Sequence, residues 1–279
     1  MEAHYYTPAE VANNFIDVGQ KKAQLSIAKQ FILGIMAGVF IALAAQGSNQ
    51  AIHDIVSVGV AKTVAGALFA CGLILVVIAG GELFTGNCLM IIACADRRIS
   101  AGSMLRNWLV VYIGNLAGSL IIVFLIVKSG QFDFSGGILG AFTIKTAVYK
   151  TGLSFGKAFV MGILCNALVC AAVWMAAAAK DIPGKILGIF FPIWLFVASG
   201  FEHSVANMYY IPAGILAASN PLWVSQALAM GVKADQIAAL GAKAFLLNNL
   251  LPVTLGNIVG GSVLIGLGYW LAYLTKAKD

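Results

Sequence analysis

Two long apolar runs in this chain are each broken halfway by a short polar stretch carrying a carboxylate. In the first, residues 74–79 give way to Gly80-Gly81-Glu82-Leu83-Phe84-Thr85-Gly86-Asn87, and apolar sequence resumes at Cys88. In the second, residues 194–198 give way to Ser199-Gly200-Phe201-Glu202-His203-Ser204-Val205-Ala206-Asn207, and the sequence is then apolar to Ala218. Hydrocarbon offers no partners for backbone N–H and C=O groups. Irregular backbone at membrane depth therefore persists only where protein buries it or a wet cavity lines it. A pair of such interruptions at matching places in two halves of a chain points to a substrate pathway.

A composition of 61% hydrophobic and 10% charged residues excludes an ordinary soluble domain. The chain of 279 residues has room for about six crossings of ~20 residues each. The expected spans are 28–45, 63–95 (broken), 108–127, 158–179, 186–218 (broken) and 244–274, in a single transmembrane channel domain over 1–279. The first 28 residues lack an apolar run, so no cleavable signal peptide is expected. Thr7-Pro8-Ala9-Glu10 has the form of a capping box with proline at the first helical position. Val11, Phe15, Ile16 and Val18 follow as a partly apolar face, which predicts an N-terminal helix in residues 1–28 lying on the bilayer surface.

The net charge of +6 does not point to nucleic acid, because Lys and Arg sit at span ends. Placing the N-terminus in the cytoplasm puts Arg97, Arg98, Arg106, Lys21, Lys22, Lys29, Lys180, Lys185, Lys276 and Lys278 inside, ten of the 17 basic residues. An even number of crossings returns the C-terminus to the same side, as expected of a multi-pass protein of the inner (cell) membrane. The five cysteines, Cys71, Cys88, Cys94, Cys165 and Cys170, fall within spans with no C-x-x-C pair, and read as small apolar residues.

The two halves align in order. Lys29-Gln30-Phe31-Ile32-Leu33-Gly34-Ile35 matches Lys157-Ala158-Phe159-Val160-Met161-Gly162-Ile163. Glu82 and Asn87 match Glu202 and Asn207, and Asn107…Gly114-Asn115 matches Asn249…Gly256-Asn257. Three crossings per half force the halves into opposite orientations, giving an inverted repeat of about 29–127 and 157–274. Glycines at or near four-residue spacing (Gly34, Gly38, Gly114, Gly118, Gly162, Gly256, Gly260) let helix backbones approach.

Glu82, Glu202 and His203 are the ionisable residues deep in the apolar spans. Charge at that depth is costly, so such residues face the protein interior. Each glutamate precedes a half-helix, where a carboxylate would hold the break in shape by accepting backbone N–H bonds. Asn87 and Asn207 share that loop-structuring position. His203 breaks the repeat's symmetry, since Leu83 aligns with it, and an imidazole can donate, accept or change charge near neutral pH. His4 and His53 form no metal site with it on spacing, and neither metal nor cofactor is expected. Half-helices beginning near Thr85 and Ser204 would aim unpaired N–H groups and positive dipole ends at the break, favouring an anion. With no Lys or Arg at that depth binding would be weak, as throughput requires.

Phe69, Leu73, Phe84, Phe196 and Val169 surround the breaks and could form dry constrictions. A bare anion in such a neck carries a desolvation cost of order tens of kcal/mol in the Born limit. Sharing a proton with His203 would remove most of it, which favours small weak acids over chloride or sulfate.

The run Val77-Ile78-Ala79-Gly80-Gly81-Glu82-Leu83-Phe84-Thr85-Gly86 closely resembles the first signature of the formate–nitrite transporter family. Gly162-Ile163-Leu164-Cys165-Asn166-Ala167-Leu168-Val169-Cys170-Ala171 resembles its second, with small Ala167 and Ala171 where bulkier residues are usual. General similarity places the chain nearest the hydrosulfide channel branch. The resemblance implies an all-α, aquaporin-like protomer in a homopentamer, each subunit with its own pore for small anions. It implies that Thr85 and His203 hydrogen-bond the passing anion and that Leu73, Phe69, Phe196 and Phe84 form constrictions. It also implies that Lys150 and Asn166 are polar residues linked to the histidine and the outer mouth. The N-terminal helix resembles a segment that gates the inner mouth. A neutral-solute channel of aquaporin type is the competing expectation, although the duplicated Asn-Pro-Ala signature is absent. A membrane-embedded enzyme would need paired thiols or a nucleophile–base pair, and the sequence supplies neither.

Overall fold

The computed structural model describes residues 5–275, so His4, Lys276 and Lys278 lie outside the described residues. Among the described residues, five helices are long and apolar enough to cross a membrane: Ile27–Ile52, Val58–Gly80, Ala101–Lys128, Phe155–Ala178 and Ala244–Tyr273. Two shorter apolar helices, Phe84–Ala95 and Ile182–Ala198, accompany them.

The chain opens with α1 (Pro8–Gln24), whose capping box forms as the sequence predicts: Thr7 N–H and its hydroxyl both donate to the Glu10 carboxylate at 2.7 Å. Of the residues read as its apolar face, Val11 and Phe15 are buried in the bundle, Ile16 is half-buried and Val18 is exposed. Helix α2 (Ile27–Ile52) starts on a Ser26 cap and α3 (Val58–Leu75) on a Ser57 cap, before α3 widens into a π-helical turn over Val76–Gly80. After the break come α4 (Phe84–Asn87), a 3-10 turn and α5 (Ile91–Ala95). Helix α6 (Ala101–Lys128) completes this half, and α7 (Ile138–Thr151) leads to the next.

The second half runs through α8 (Phe155–Ala178), α9 (Ile182–Ala198), a second break and α10 (Ser204–Ala217). Short α11 (Pro221–Ala229) and α12 (Ala234–Ala238) follow. The last long helix is wound as a π segment, α13 (Leu251–Ile258), a second π segment and α14 (Gly268–Tyr273).

Two helix pairs hold the frame. Helix α2 lies on α6 with Gly34 and Gly38 against Gly114 and Asn115: a Cβ on Gly38 would stand 2.2 Å from Asn115 O. Helix α8 lies on α13 in the same manner, since a Cβ on Gly162 would meet Val253 O at 2.7 Å. Dispersion between closely approaching backbones replaces the hydrophobic drive that lipid cannot supply. Between the pairs hang the two breaks. Each turns on a glycine in the left-handed region, Gly80 (φ 95°) and Gly200 (φ 75°), two residues before its glutamate.

Candidate functional site

Each break is fastened by the same set of bonds. Backbone N–H of Glu82 donates to Leu33 O (3.0 Å), and that of Glu202 to Met161 O (3.3 Å). The amide of Asn115 donates to Gly34 O and Glu82 O (both 2.8 Å), while its Oδ1 accepts Phe84 N–H at 2.9 Å. Asn257 repeats this on Gly162 O, Glu202 O and Ser204 N–H. The carboxylates join in: Glu82 Oε2 accepts from Asn87 Nδ2 and Glu202 Oε2 from Asn207 Nδ2, each at 2.6 Å. Asn107 and Asn249 accept the other amide protons of Asn87 and Asn207 at 2.8 and 2.7 Å. All of these side chains are buried, and burial demands that polar groups be paired.

Each glutamate also holds a lysine. Lys22 of α1 sits 2.6 Å from Glu82 Oε1, and Lys150 of α7 sits 2.9 Å from Glu202 Oε1. Lys150 also lies over the Tyr210 ring, 5.1 Å from its centroid. Its charge is therefore compensated by Glu202 rather than offered freely to solvent. Lys62, exposed at the start of α3, lies near Gly200 and makes no ion pair among the described residues.

The two break tips meet through Thr85 Oγ1 and His203 Nε2, 3.0 Å apart and both buried. His203 Nδ1 accepts the backbone N–H of Ala206 at 3.0 Å, capping α10. A backbone N–H can only donate, so in the neutral ring the proton belongs on Nε2 and points at Thr85. The threonine hydroxyl hydrogen is then free for another acceptor. The His203 ring lies 5.9 Å from Phe196 at 23°, and Phe69 stands edge-on to Phe196 at 5.7 Å.

A cavity of about 460 Å³ is lined by Lys22, Lys185, Glu82, Leu73 and Leu83, with Phe15 of α1 at its side. Thr85 and His203 do not line it; Leu73 and Leu83 do. Phe84, expected at a constriction, does not line this cavity. It packs on Tyr112 (4.8 Å between ring centroids) and Trp108 (6.0 Å), facing a second, lateral groove. Leu83 is extended (φ −107°, ψ 123°), so consecutive side chains leave opposite faces and Leu83 takes the cavity side. Val169 is buried in the bundle. Asn166 turns its amide to backbone, donating to Thr85 O (3.2 Å) and Asn257 O (2.7 Å).

Of the expected free N–H groups at the half-helix tips, three are taken, Phe84 N–H by Asn115, Ser204 N–H by Asn257 and Ala206 N–H by His203, while those of Thr85, Gly86 and Val205 have no hydrogen-bond partner among the described residues. The tips therefore carry both side-chain donors and a few backbone donors. Asn107, Asn115, Asn249 and Asn257 are the residues that sequence reasoning aligned without assigning a role. An amide recurring in both halves at membrane depth was the available signal.

The family model described as formate/nitrite transporter matches residues 9–271. The chain belongs to the formate/nitrite transporter family. It is 41% identical to the "Formate channel FocA" of Escherichia coli (strain K12) over 274 residues, 96% of this chain and 95% of that protein. It is 38% identical to the "Probable formate transporter" of Methanothermobacter thermautotrophicus, over 99% of this chain and all of that one. Among solved structures, a pentameric formate channel with formate bound superposes with TM-score 0.80 at 41% identity, covering 89% of this chain and 98% of the other. An FNT family ion channel gives 0.79 at 30% identity, covering 94% and 98%. The family and these relatives are channels and transporters, not enzymes, and the chain is a membrane protein.

Proposed function

We propose that this protein conducts small monovalent anions of weak acids through a pore in each protomer of a homopentamer. Formate is the first cargo to test, since the relatives named above are formate channels. Nitrite and hydrosulfide share its size and weak-acid chemistry, and the hydrosulfide branch remains the chain's place within the family on this reading. The architecture is six crossings in two inverted halves, with helices two and five broken, in the inner membrane with both termini cytoplasmic.

The observation that carries the reading is the Thr85–His203 bond of 3.0 Å between the tips of two broken helices. An anion arriving there takes the Thr85 hydroxyl hydrogen and the Nε2–H in place of their mutual bond. His203 shares its proton with the anion as a hydrogen bond, and outright donation requires a second proton at Nδ1, which means releasing Ala206 N–H. Leu73, Phe69 and Phe196 keep water from following. Glu82, Glu202, Asn87 and Asn207 shape the breaks, Lys150 supports the outer one, and Asn166 holds Thr85 from behind.

The test is stopped-flow flux in proteoliposomes over formate, nitrite, hydrosulfide, chloride and glycerol at two pH values. Fast flux of the three weak-acid anions with slow chloride is the expected result. Vesicles that swell in glycerol yet pass no formate would overturn it in favour of a neutral-solute channel.

A further inference from the structure

We infer that the Cys170 thiol is a positioning residue that sets the anion preference of the pore by anchoring the Thr85 backbone. The inference rests on the proposed passage of anions between Thr85 and His203.

Thr85 lies in a helix of only four residues, α4, that passes straight into a 3-10 turn. So short an element has almost no ladder of its own to hold it. The Thr85 carbonyl instead receives two side-chain donors from α8. Asn166 Nδ2 reaches it at 3.2 Å, and Cys170 Sγ, one helical turn further along, at 3.3 Å. Both are fully buried. Gly261 makes the room: a Cβ there would stand 2.3 Å from Asn166 Nδ2 and 2.8 Å from Cys170 Sγ.

The other half lacks this anchor. One and two turns beyond the aligned pair Gly34/Gly162, the first half carries Gly38 and Ala42 where the second carries Asn166 and Cys170. Gly38 and Ala42 have no donor to offer the carbonyl of Val205, which is to Glu202 what Thr85 is to Glu82. Only the strand of backbone that bears the pore hydroxyl is pinned from behind. The hydroxyl's distance from His203 follows from that backbone's position, because threonine's branched side chain has little rotameric freedom. A thiol is a weak donor on a polarizable sulfur. It steadies the carbonyl while letting it move as the anion exchanges one hydrogen bond for another.

Cys170→Ala removes the donor and Cys170→Ser restores it at nearly the same volume. We expect Cys170→Ala to shift the formate-to-nitrite flux ratio by about threefold, which is about 0.6 kcal/mol, and Cys170→Ser to return it towards wild type. Gly261→Ala, whose methyl displaces both donors, shifts the ratio in the same direction as Cys170→Ala. Infrared difference spectra of the wild-type protein, with and without formate, should show a thiol S–H band that moves and that Cys170→Ser deletes. Equal flux ratios in wild type and Cys170→Ala, or equal shifts in Cys170→Ala and Cys170→Ser, overturn the anchoring role. If an Ala variant fails to assemble, an S–H band of Cys170 unmoved by formate overturns it as well. Wild-type protein that passes no anion at all would instead remove the channel reading and this inference with it.

Discussion

Replacing Glu202 by glutamine tests the bond set that holds the second break. The carboxylate is 1% exposed and its Lys150 partner 12%, so both charges depend on each other rather than on water. Oε1 accepts Lys150 at 2.9 Å, while Oε2 accepts Asn207 at 2.6 Å and Asn249 at 3.3 Å. Glutamine keeps the volume but turns one oxygen into a donor, which must face either an ammonium or an amide N–H. It also leaves Lys150 as an uncompensated buried charge. Removing one partner of a buried pair costs about 3–5 kcal/mol. The Lys150→Met variant exposes the same penalty from the other side. In the double variant neither charge is stranded, and the cycle should show a coupling energy of about 2–3 kcal/mol. The exposed pair Arg98–Asp96, at 3.3 Å and with the arginine 60% exposed, is the control. Asp96→Asn should cost less than about 1 kcal/mol. Equilibrium unfolding of the purified channel in detergent, with gel filtration to check assembly, reads all four variants. Additive losses across the cycle, or a Glu202→Gln protein as stable as Asp96→Asn, would refute the reasoning.

Four further outcomes follow from the geometry. His203→Ala should assemble normally yet change the pH dependence of flux and the order of anion preference; identical flux-versus-pH curves for formate, nitrite and hydrosulfide would remove the imidazole from the mechanism. Gly38→Ala places a methyl 2.2 Å from Asn115 O and should destabilise by about 1–3 kcal/mol or more, whereas Gly47→Ala, with nothing within 4 Å, should not; equal melting points would contradict the close backbone approach. The Thr7 hydroxyl, followed by the Thr7 backbone N–H, holds Glu10 below the ordinary carboxylate pKa. Its contribution to capping α1 is thus complete above the unfolded-state value and lost as pH falls through the folded one, so amide exchange over residues 8–24 should quicken in acid, and Glu10→Gln should erase that pH response. Lys62→Gln should slow formate uptake at low ionic strength and much less at high, because salt screens an exposed charge; equal slowing at both would assign Lys62 to packing.

Much of the frame was legible because membrane depth leaves few options for a polar residue. Glu82 and Glu202 could be placed beside their breaks, and Asn87 and Asn207 beside them, from spacing alone, and the bonds of 2.6 Å join those residues. Pairing of Thr85 with His203 came from family resemblance, since no spacing brings together residues so far apart in the chain. Phe84 stays off the cavity because one residue of extended backbone sends its ring to the other face, and a hydrophobic name does not tell which face a side chain leaves. The tip N–H groups were expected to await an anion. Half of them are occupied, because Asn115 and Asn257 reach Phe84 and Ser204 from α6 and α13 and His203 takes Ala206, and a partner of that kind is invisible to a helix-dipole argument. Lys22 was counted only as a cytoplasmic charge. Its ion pair with Glu82 appears once α1 packs beside the first break.

The glycine seams between α2 and α6 and between α8 and α13 set backbone on backbone, and the amides of Asn115 and Asn257 lock them by bonding Gly34 O and Gly162 O across the gap. Each pair is effectively a riveted beam, unable to rock or slide without lifting backbone off backbone. Any rearrangement is then left to the small parts slung between the beams and to α1, tied to them through Lys22 and Glu82.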